Sequence, residues 1–210
     1  YRSSENNVLG ALRVLDLARI RNVPVVYASS SAVYGELPEG DDGSDVVDLG
    51  SPYTVDKFLL ENYARMAHQL FGIASIGLRF FNIYGPGQMP MYIVPQVLSQ
   101  IKENHHIEIR NGTVMRDLLF VEDCIDAVLK LAVTDAAQDN VFNIGSGHIV
   151  SITDVAKAAI EASGLQGVEI TDLEEKIAYS PTAIMADIDK VQATIDWFPK
   201  TTLKDGLKKM

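Results

Sequence analysis

Tyr53 and Lys57 stand four residues apart in the stretch SPYTVDK, Ser51 to Lys57. On a helix that spacing puts both side chains on one face. The pair has a chemical use. A phenol is a poor base at neutral pH, and a neighbouring ammonium favours its ionised form. A tyrosine so placed can take a hydroxyl proton. A nearby serine hydroxyl can relay that proton or hold the substrate oxygen. Ser29, Ser30 and Ser31 follow the apolar run VPVVYA, within SSSAVYG. Taken singly, Tyr-x-x-x-Lys equally describes a surface pair on a helix, and serines after a strand equally describe a turn.

The elements that must position these groups are legible from periodicity. Residues 23–29 read as a buried strand, a short apolar run closed by turn residues. Residues 36–50 are acidic and glycine-rich, hence a loop. Ser51 and Pro52 read as the N-cap and first position of a helix, with Leu59, Tyr63, Met66 and Leu70 as its apolar stripe. Another strand is predicted over 73–83, followed by a turn at 85–90. The chain opens in a helix over 4–20, with Val8, Leu12 and Leu15 at helical spacing. Beyond residue 90 the pattern gives a helix at 92–104 and a strand at 107–110. An amphipathic helix follows at 120–133, with acids in its first turn, and then a strand at 140–147. Ser151 with Asp154 opens the next helix as a capping box with Asp in place of Glu. A short strand at 168–170 and a helix at 187–196 complete the pattern. The alternation indicates an α/β class with a mostly parallel sheet. Open sheets of this kind place ligands at the carboxyl ends of their strands, where the serines lie.

Composition narrows the function classes. The 210 residues are 47% hydrophobic and 22% charged, ordinary for a soluble globular protein. No apolar run approaches the ~20 residues of a membrane span. The formal net charge of -10 argues against nucleic acid, which demands a basic face. The single cysteine, Cys124, fits a reducing, cytoplasmic setting. The polar start YRSSENNVLG has no signal-peptide pattern. Its opening inside a helix, without Met, predicts a piece of a longer protein. Neither Cys124 nor His68, His105, His106 or His148 has metal-ligand spacing, so no metal is expected.

The combination is more specific than its parts. A strand with SSSAVYG, an acidic loop, SPYTVDK opening a helix, and a strand with RFFNIYGP occur in that order. So arranged, the chain resembles the extended short-chain dehydrogenase/reductases, in their NAD-dependent nucleotide-sugar epimerase/dehydratase branch. ENNVLGALRVLDLAR, RNGTVMRDLLFVEDCIDAV, FNIGSG and the ADIDK tail extend the resemblance over nearly the whole sequence. It implies a Rossmann-like, doubly wound parallel sheet, incomplete at its N-terminus, with a smaller α/β substrate-binding part. On that reading residues 1–82 are the second half of the cofactor domain. Residues 83–210 are mainly the substrate domain, with about 116–147 returning to the first sheet. The family's Gly-x-x-Gly-x-x-Gly loop has no counterpart, since GSGHIV at 145–150 has the wrong spacing.

The resemblance also assigns roles. Tyr53 is the base, Lys57 supports it and bonds the nicotinamide ribose, and Ser30 is the catalytic serine. Ser29 and Ser31 shape the turn, Ser29 toward the cofactor and Ser31 toward the substrate. Phe81 lies near the nicotinamide. Asn82 bonds the substrate's diphosphate region, and Arg116 pairs with the diphosphate; a surface ion pair of Arg116 with Asp117 or Glu122 is the alternative. Asn7 is structural, and Asp123 caps its helix. The implied cofactor is NAD, with NADP not excluded. The implied partner is a nucleotide sugar, UDP-linked, bound to a homodimer.

Within the branch, 4,6-dehydratases follow their catalytic threonine with Asp-Glu, and UDP-glucuronate decarboxylases carry a Glu before Val-Tyr-Gly. Ser31 and Ala32 stand there instead and cannot do acid–base work, so the sequence resembles the 4-epimerases best. Tyr53 would then take the 4-hydroxyl proton while hydride passes from C4 to NAD. The 4-keto sugar would rotate and receive the hydride on its other face. One departure is clear. The family's Arg-x-Gly-Asp would fall at Ile177, Ala178, Tyr179 and Ser180, and Lys176 is one residue off. A one-way NAD(P)-dependent reductase or dehydrogenase, or a non-catalytic nucleotide-binding homologue, remain the alternatives.

Overall fold

The computed structural model describes residues 2–35, 39–40, 50–174 and 184–210. Helix α1 (Arg2–Ser4) runs through a π-helical turn at Glu5–Leu9 into α2 (Gly10–Arg21). Strand β1 (Val25–Ser30) follows and ends in a 3-10 turn, Ser31–Tyr34. After β2 (Glu39–Gly40) comes the long helix α3 (Pro52–Phe71), then β3 (Ser75–Phe80) and β4 (Asn82–Tyr84). The middle of the chain forms α4 (Ile93–Asn104), β5 (His106–Arg110), β6 (Met115–Phe120) and α5 (Val121–Ala132). Next come β7 (Asn140–Ile144), β8 (Ile149–Ser151), α6 (Ile152–Ser163) and β9 (Glu169–Leu173). The last elements are β10 (Met185–Ala186), α7 (Asp189–Ile195) and α8 (Leu203–Lys208).

Strands β1, β3 and β7 pair in parallel, in that order. Helices cover both faces. Leu15 and Ala18 of α2 and Ala67 of α3 pack with Val25 on one side. Cys124, Ala127 and Leu131 of α5 and Val191 of α7 pack with Ile76, Leu78 and Phe142 on the other, around Trp197. This is the doubly wound, Rossmann-like arrangement. A further core gathers α4, α6 and α8 around β5: Val97, Ile101, Ile107, Ile109, Val155 and Leu207 are all buried there. Each such large aliphatic side chain contributes about 1.5–3 kcal/mol by leaving water.

Three departures from the expected elements shape the cores. The run 73–83 is two strands, because the chain changes sheets at Phe81. Strand β3 stays with β1 and β7, whereas β4 pairs in parallel with β6. The second departure is β6 itself, over residues that the sequence pattern left unassigned; it also pairs antiparallel with β8. Its Leu119 enters the second of these cores and its Phe120 the third. Helix α8 is the third, capped by Thr202, whose hydroxyl accepts from Asp205 N at 3.2 Å. Within 116–147 β7 pairs with β3, while β6 pairs with β4 and β8. Most of the acidic loop at 36–50 lies outside the described residues.

A buried polar network underlies the first sheet. Arg79 of β3 donates from Nε and Nη2 to the two oxygens of Glu61 on α3, at 2.9 and 2.8 Å. Its Nη1 donates to the Tyr34 hydroxyl at 2.8 Å, and that hydroxyl donates to Asn143 Oδ1 at 2.7 Å. Ser29 donates to Glu61 as well. Burial disfavours the guanidinium charge, but Glu61 more than offsets this, and the Arg79 pKa is raised. Deleting one partner of a buried pair strands the other. Glu61→Ala should therefore cost about 3–5 kcal/mol in denaturant unfolding; a loss within the range of an exposed pair would contradict the account.

Cys124 is buried in α5, and burial pushes its thiol up to about 11. Alkylation by iodoacetamide at pH 8 should be about a hundredfold slower in the native protein than in urea. Equal rates would show that the α5 core opens readily.

Candidate active site

Strand β1 delivers the serines to the carboxyl edge of the first sheet, and its register decides their fates. Ser30 lies opposite Phe80, which lies opposite Ile144, so the three mark one row across the edge. Ser29, one residue earlier, is 2% exposed, and its hydroxyl is committed to Glu61. Ser29, expected on the cofactor side, takes its place in the buried network. Ser30 Oγ accepts from Ala32 N at 3.2 Å and caps the 3-10 turn. That contact uses a lone pair and leaves the hydroxyl proton available. Ser31 and Ala32 follow on the rim.

Ser30, Ser31, Phe81, Asn82 and Arg116 line one cavity of about 280 Å³, together with Ala32, Gly35, Thr54, Phe80 and Ile184. No carboxylate is among these residues. Thr54 is a member that sequence reasoning missed. Ser51 caps α3 by accepting from Thr54 N at 3.1 Å, and its hydroxyl lies 2.9 Å from Thr54 Oγ1. The capping pattern was the signal that Thr54 turns inward.

Tyr53 does not line this cavity. It stands one residue before Thr54, 44% exposed on the first turn of α3. Lys57 lies one turn on, its ammonium 5.5 Å from the centroid of the Tyr53 ring. It donates to Ala28 O at 2.8 Å, which ties α3 to β1 just before the serines. Burial lowers the Lys57 pKa, opposed by the neighbouring Asp56 carboxylate. Asp56 is itself buried and accepts from Ser3 and Ser4 at 2.8 and 2.7 Å. Burial opposes its charge, yet the donors from Ser4, Ser3 and Asn7 hold its carboxyl below the usual range. Asn7, in the π-helical turn, donates to Ser3 Oγ at 3.1 Å. It thus belongs to the contacts that seat the N-terminal helix against α3.

A second cavity, of about 590 Å³, adjoins the first. Phe81, Asn82 and Arg116 line both. The larger one continues past Ile83, Met91, Tyr92, Val94, Leu118 and Ile152 to Arg110. Arg116 donates to Met115 O at 2.7 Å, and burial lowers its pKa. The two carboxylates considered as its partners are engaged elsewhere: Glu122 with Lys209 at 2.6 Å, and Asp117 with backbone amides. Asn82 donates to Asp117 O at 3.1 Å. Gln88 donates to Ile83 O at 3.0 Å, and its buried carbonyl oxygen has no partner among the described residues. Phe81 is buried against Tyr34, with ring centroids 6.3 Å apart.

Asp123 and His68 are engaged elsewhere in the fold. Asp123 does not cap α5; it accepts from Thr201 N at 2.8 Å and fastens the C-terminal segment. His68 pairs with Asp139 at 3.0 Å. No cluster of three metal-ligating side chains occurs among the described residues. None of their helices is long and apolar enough to cross a membrane. Lys176 lies outside the described residues.

Known proteins resemble this chain in sequence and fold. A relative from Bacillus subtilis, an uncharacterized UDP-glucose epimerase, is 29% identical over 96% of this chain and 64% of its own length. The CDP-paratose 2-epimerase of Salmonella typhi is 30% identical over 98% of this chain and 70% of its own. Among solved structures, the UDP-glucuronic acid 4-epimerase of Bacillus cereus, in complex with NAD, superposes with a TM-score of 0.84. It is 28% identical, covering 97% of this chain and 64% of that one. The chain thus spans under two thirds of the length of the first and third of these proteins. Residues 2–145 match the NAD dependent epimerase/dehydratase family. The parallel sheet agrees with that match, and the chain belongs to this family.

Proposed function

We propose that the protein is an NAD-dependent nucleotide-sugar 4-epimerase acting through transient oxidation at C4. One observation carries the reading: Ser30, Asn82 and Arg116 line a cavity beside the first turn of α3, and no carboxylate lines it among the described residues. Removal of water from a sugar needs an acid and a base at the carbon neighbouring the oxidised one. Ser31 and Ala32 offer neither. Oxidation and re-reduction at one carbon need only a group that takes and returns the hydroxyl proton.

In this reading the sugar enters the smaller cavity and the nucleoside the larger one, with the diphosphate at Arg116 between them. A planar guanidinium suits that charge. Tyr53, outside the cavity lining but next to its Thr54, takes through Oη the proton of a 4-hydroxyl held at the edge of the cavity as C4 is oxidised, and gives it back as the carbonyl is reduced. Ser30 donates its free proton to the same sugar oxygen. NAD, when bound, supplies the oxidising and reducing equivalents. The residues present fit its nicotinamide-ribose end. Lys57 spends one donor on Ala28 O, leaving two without a partner among the described residues to meet a ribose diol. Phe81 supplies an apolar wall.

Residues 1–82 with β7 form the cofactor half in this reading, and most of 83–210 the substrate half. Exposed apolar residues on α2 (Val14, Leu17) and α3 (Leu59, Met66, Leu70) support a homodimer.

Two substitutions test the roles in the full-length gene product. Tyr53→Phe should lower turnover at least about a hundredfold with melting temperature unchanged; retained turnover would remove the tyrosine from the chemistry. Arg116→Ala should weaken UDP-sugar binding by about tenfold or more and NAD binding little, by isothermal titration. Equal losses for the two ligands would count against the diphosphate role.

A further inference from the structure

Asp117 adjoins Arg116 on β6, and strand alternation sends their side chains to opposite faces. Arg116 faces the two cavities, while Asp117 is 0% exposed. A carboxylate so deeply placed must be met by donors, and the donors here come from two distant segments. Oδ1 accepts from Ser146 N at 2.6 Å and from Ser146 Oγ at 2.8 Å. Oδ2 accepts from Gly147 N at 3.0 Å and from Ala186 N at 3.1 Å. The main-chain carbonyl of the same residue receives the Asn82 side chain at 3.1 Å. One residue therefore touches the turn after β7, strand β10 and the start of β4.

Two of these contacts, those with β10 and with the start of β4, lead to the smaller cavity. Asn82 and Arg116 line it directly, and Ile184, two residues before Ala186, closes its wall. The space around the carboxylate is tight. A methyl group at Gly145 would collide with the Ala186 side chain and come within 3.1 Å of Asp117 Oδ2. The chemistry requires an anion with two accepting oxygens. An asparagine would keep one acceptor and turn its NH2 toward the amides that the other oxygen had received.

We propose that Asp117 is a positioning residue for substrate. Its carboxylate locks the segment carrying Ile184, and its carbonyl locks Asn82, so that both meet the ligand in register with Arg116. This rests on the reading of the cavity as the sugar-diphosphate site. Charge-assisted bonds to backbone amides are strong and short, which suits the role.

The test is isothermal titration of the full-length protein with UDP-glucose and, separately, with NAD. Asp117→Asn should weaken UDP-glucose about tenfold and leave NAD affinity within about twofold. In an Ile184→Ala background the same change should cost less than about threefold, because the contact through which the carboxylate acts is already gone. Equal costs in both backgrounds, or an equal loss of NAD affinity, would mark general loosening and overturn the proposal. If Asp117→Asn does not fold, Ser146→Ala decides. It removes one donor without stranding a charge. It should weaken UDP-glucose in the same direction, with unchanged melting temperature; unaltered affinity overturns the proposal. A wild-type protein that binds neither UDP nor UDP-glucose would refute the cavity reading itself, and the proposal with it.

Discussion

The pair between Arg79 and Glu61 is the constraint on which the site depends. Both side chains are about nine-tenths or more withdrawn from water, at 7% and 10% exposure. Such a pair is tolerable only if its geometry is good and its remaining donors and acceptors are met. Here they are met by Ser29, Tyr34 and, beyond it, Asn143, which passes a further bond to Asp187 O at 3.0 Å. The network thereby runs from α3 through all three strands of the first sheet to the segment before α7. Glu61 is one turn beyond Lys57, and Ser29 immediately precedes Ser30. Holding Glu61 to Ser29 therefore fixes the helix bearing Tyr53 and Lys57 against the strand bearing Ser30. The Lys57 bond to Ala28 O adds a second tie between the same two elements.

A second constraint acts at Phe81, where the chain leaves one sheet for another. Phe81 N donates to Ile144 O at 3.0 Å, the last bond to the first sheet, and Asn82 begins pairing with β6. The switch places Phe81, Asn82 and, through β6, Arg116 at the junction of the two cavities. Ligands of open α/β sheets bind outside the carboxyl ends of the strands, and Phe81 follows the carboxyl end of β3. A ligand with an apolar end, a central anion and a hydroxylated end matches the succession of surfaces. The larger cavity has aliphatic and aromatic walls, Arg116 stands at the boundary, and the smaller cavity carries Ser30, Ser31, Thr54 and Asn82.

Much of this was legible in the sequence, for physical reasons. Caps announce themselves locally. Ser51 and the Ser151–Asp154 box are present as read, because capping involves residues three apart. Pairing is not local. The run 73–83 is apolar on both sides of Phe81, so nothing in it marks the exchange of one neighbour for another. Strand β6 went unread because Arg116 and Asp117, each needed by a different surface, interrupt its apolar pattern. Ser29 could not be separated from Ser30 by type, since only the register of β1 turns one toward Glu61 and the other toward the cavity. Arg79 drew no reading at all, although an arginine between apolar strand residues was the signal of a buried partner.

The central claim is reversible chemistry at a single sugar carbon. It is tested most directly by incubating the full-length protein with UDP-glucose, UDP-N-acetylglucosamine and UDP-glucuronate in turn. With catalytic NAD present, the anomeric protons are followed by NMR. The expected result is a C4 epimer of one of these sugars with no net accumulation of NADH. Stoichiometric change in cofactor absorbance without an epimer would contradict the account and identify a one-way oxidoreductase.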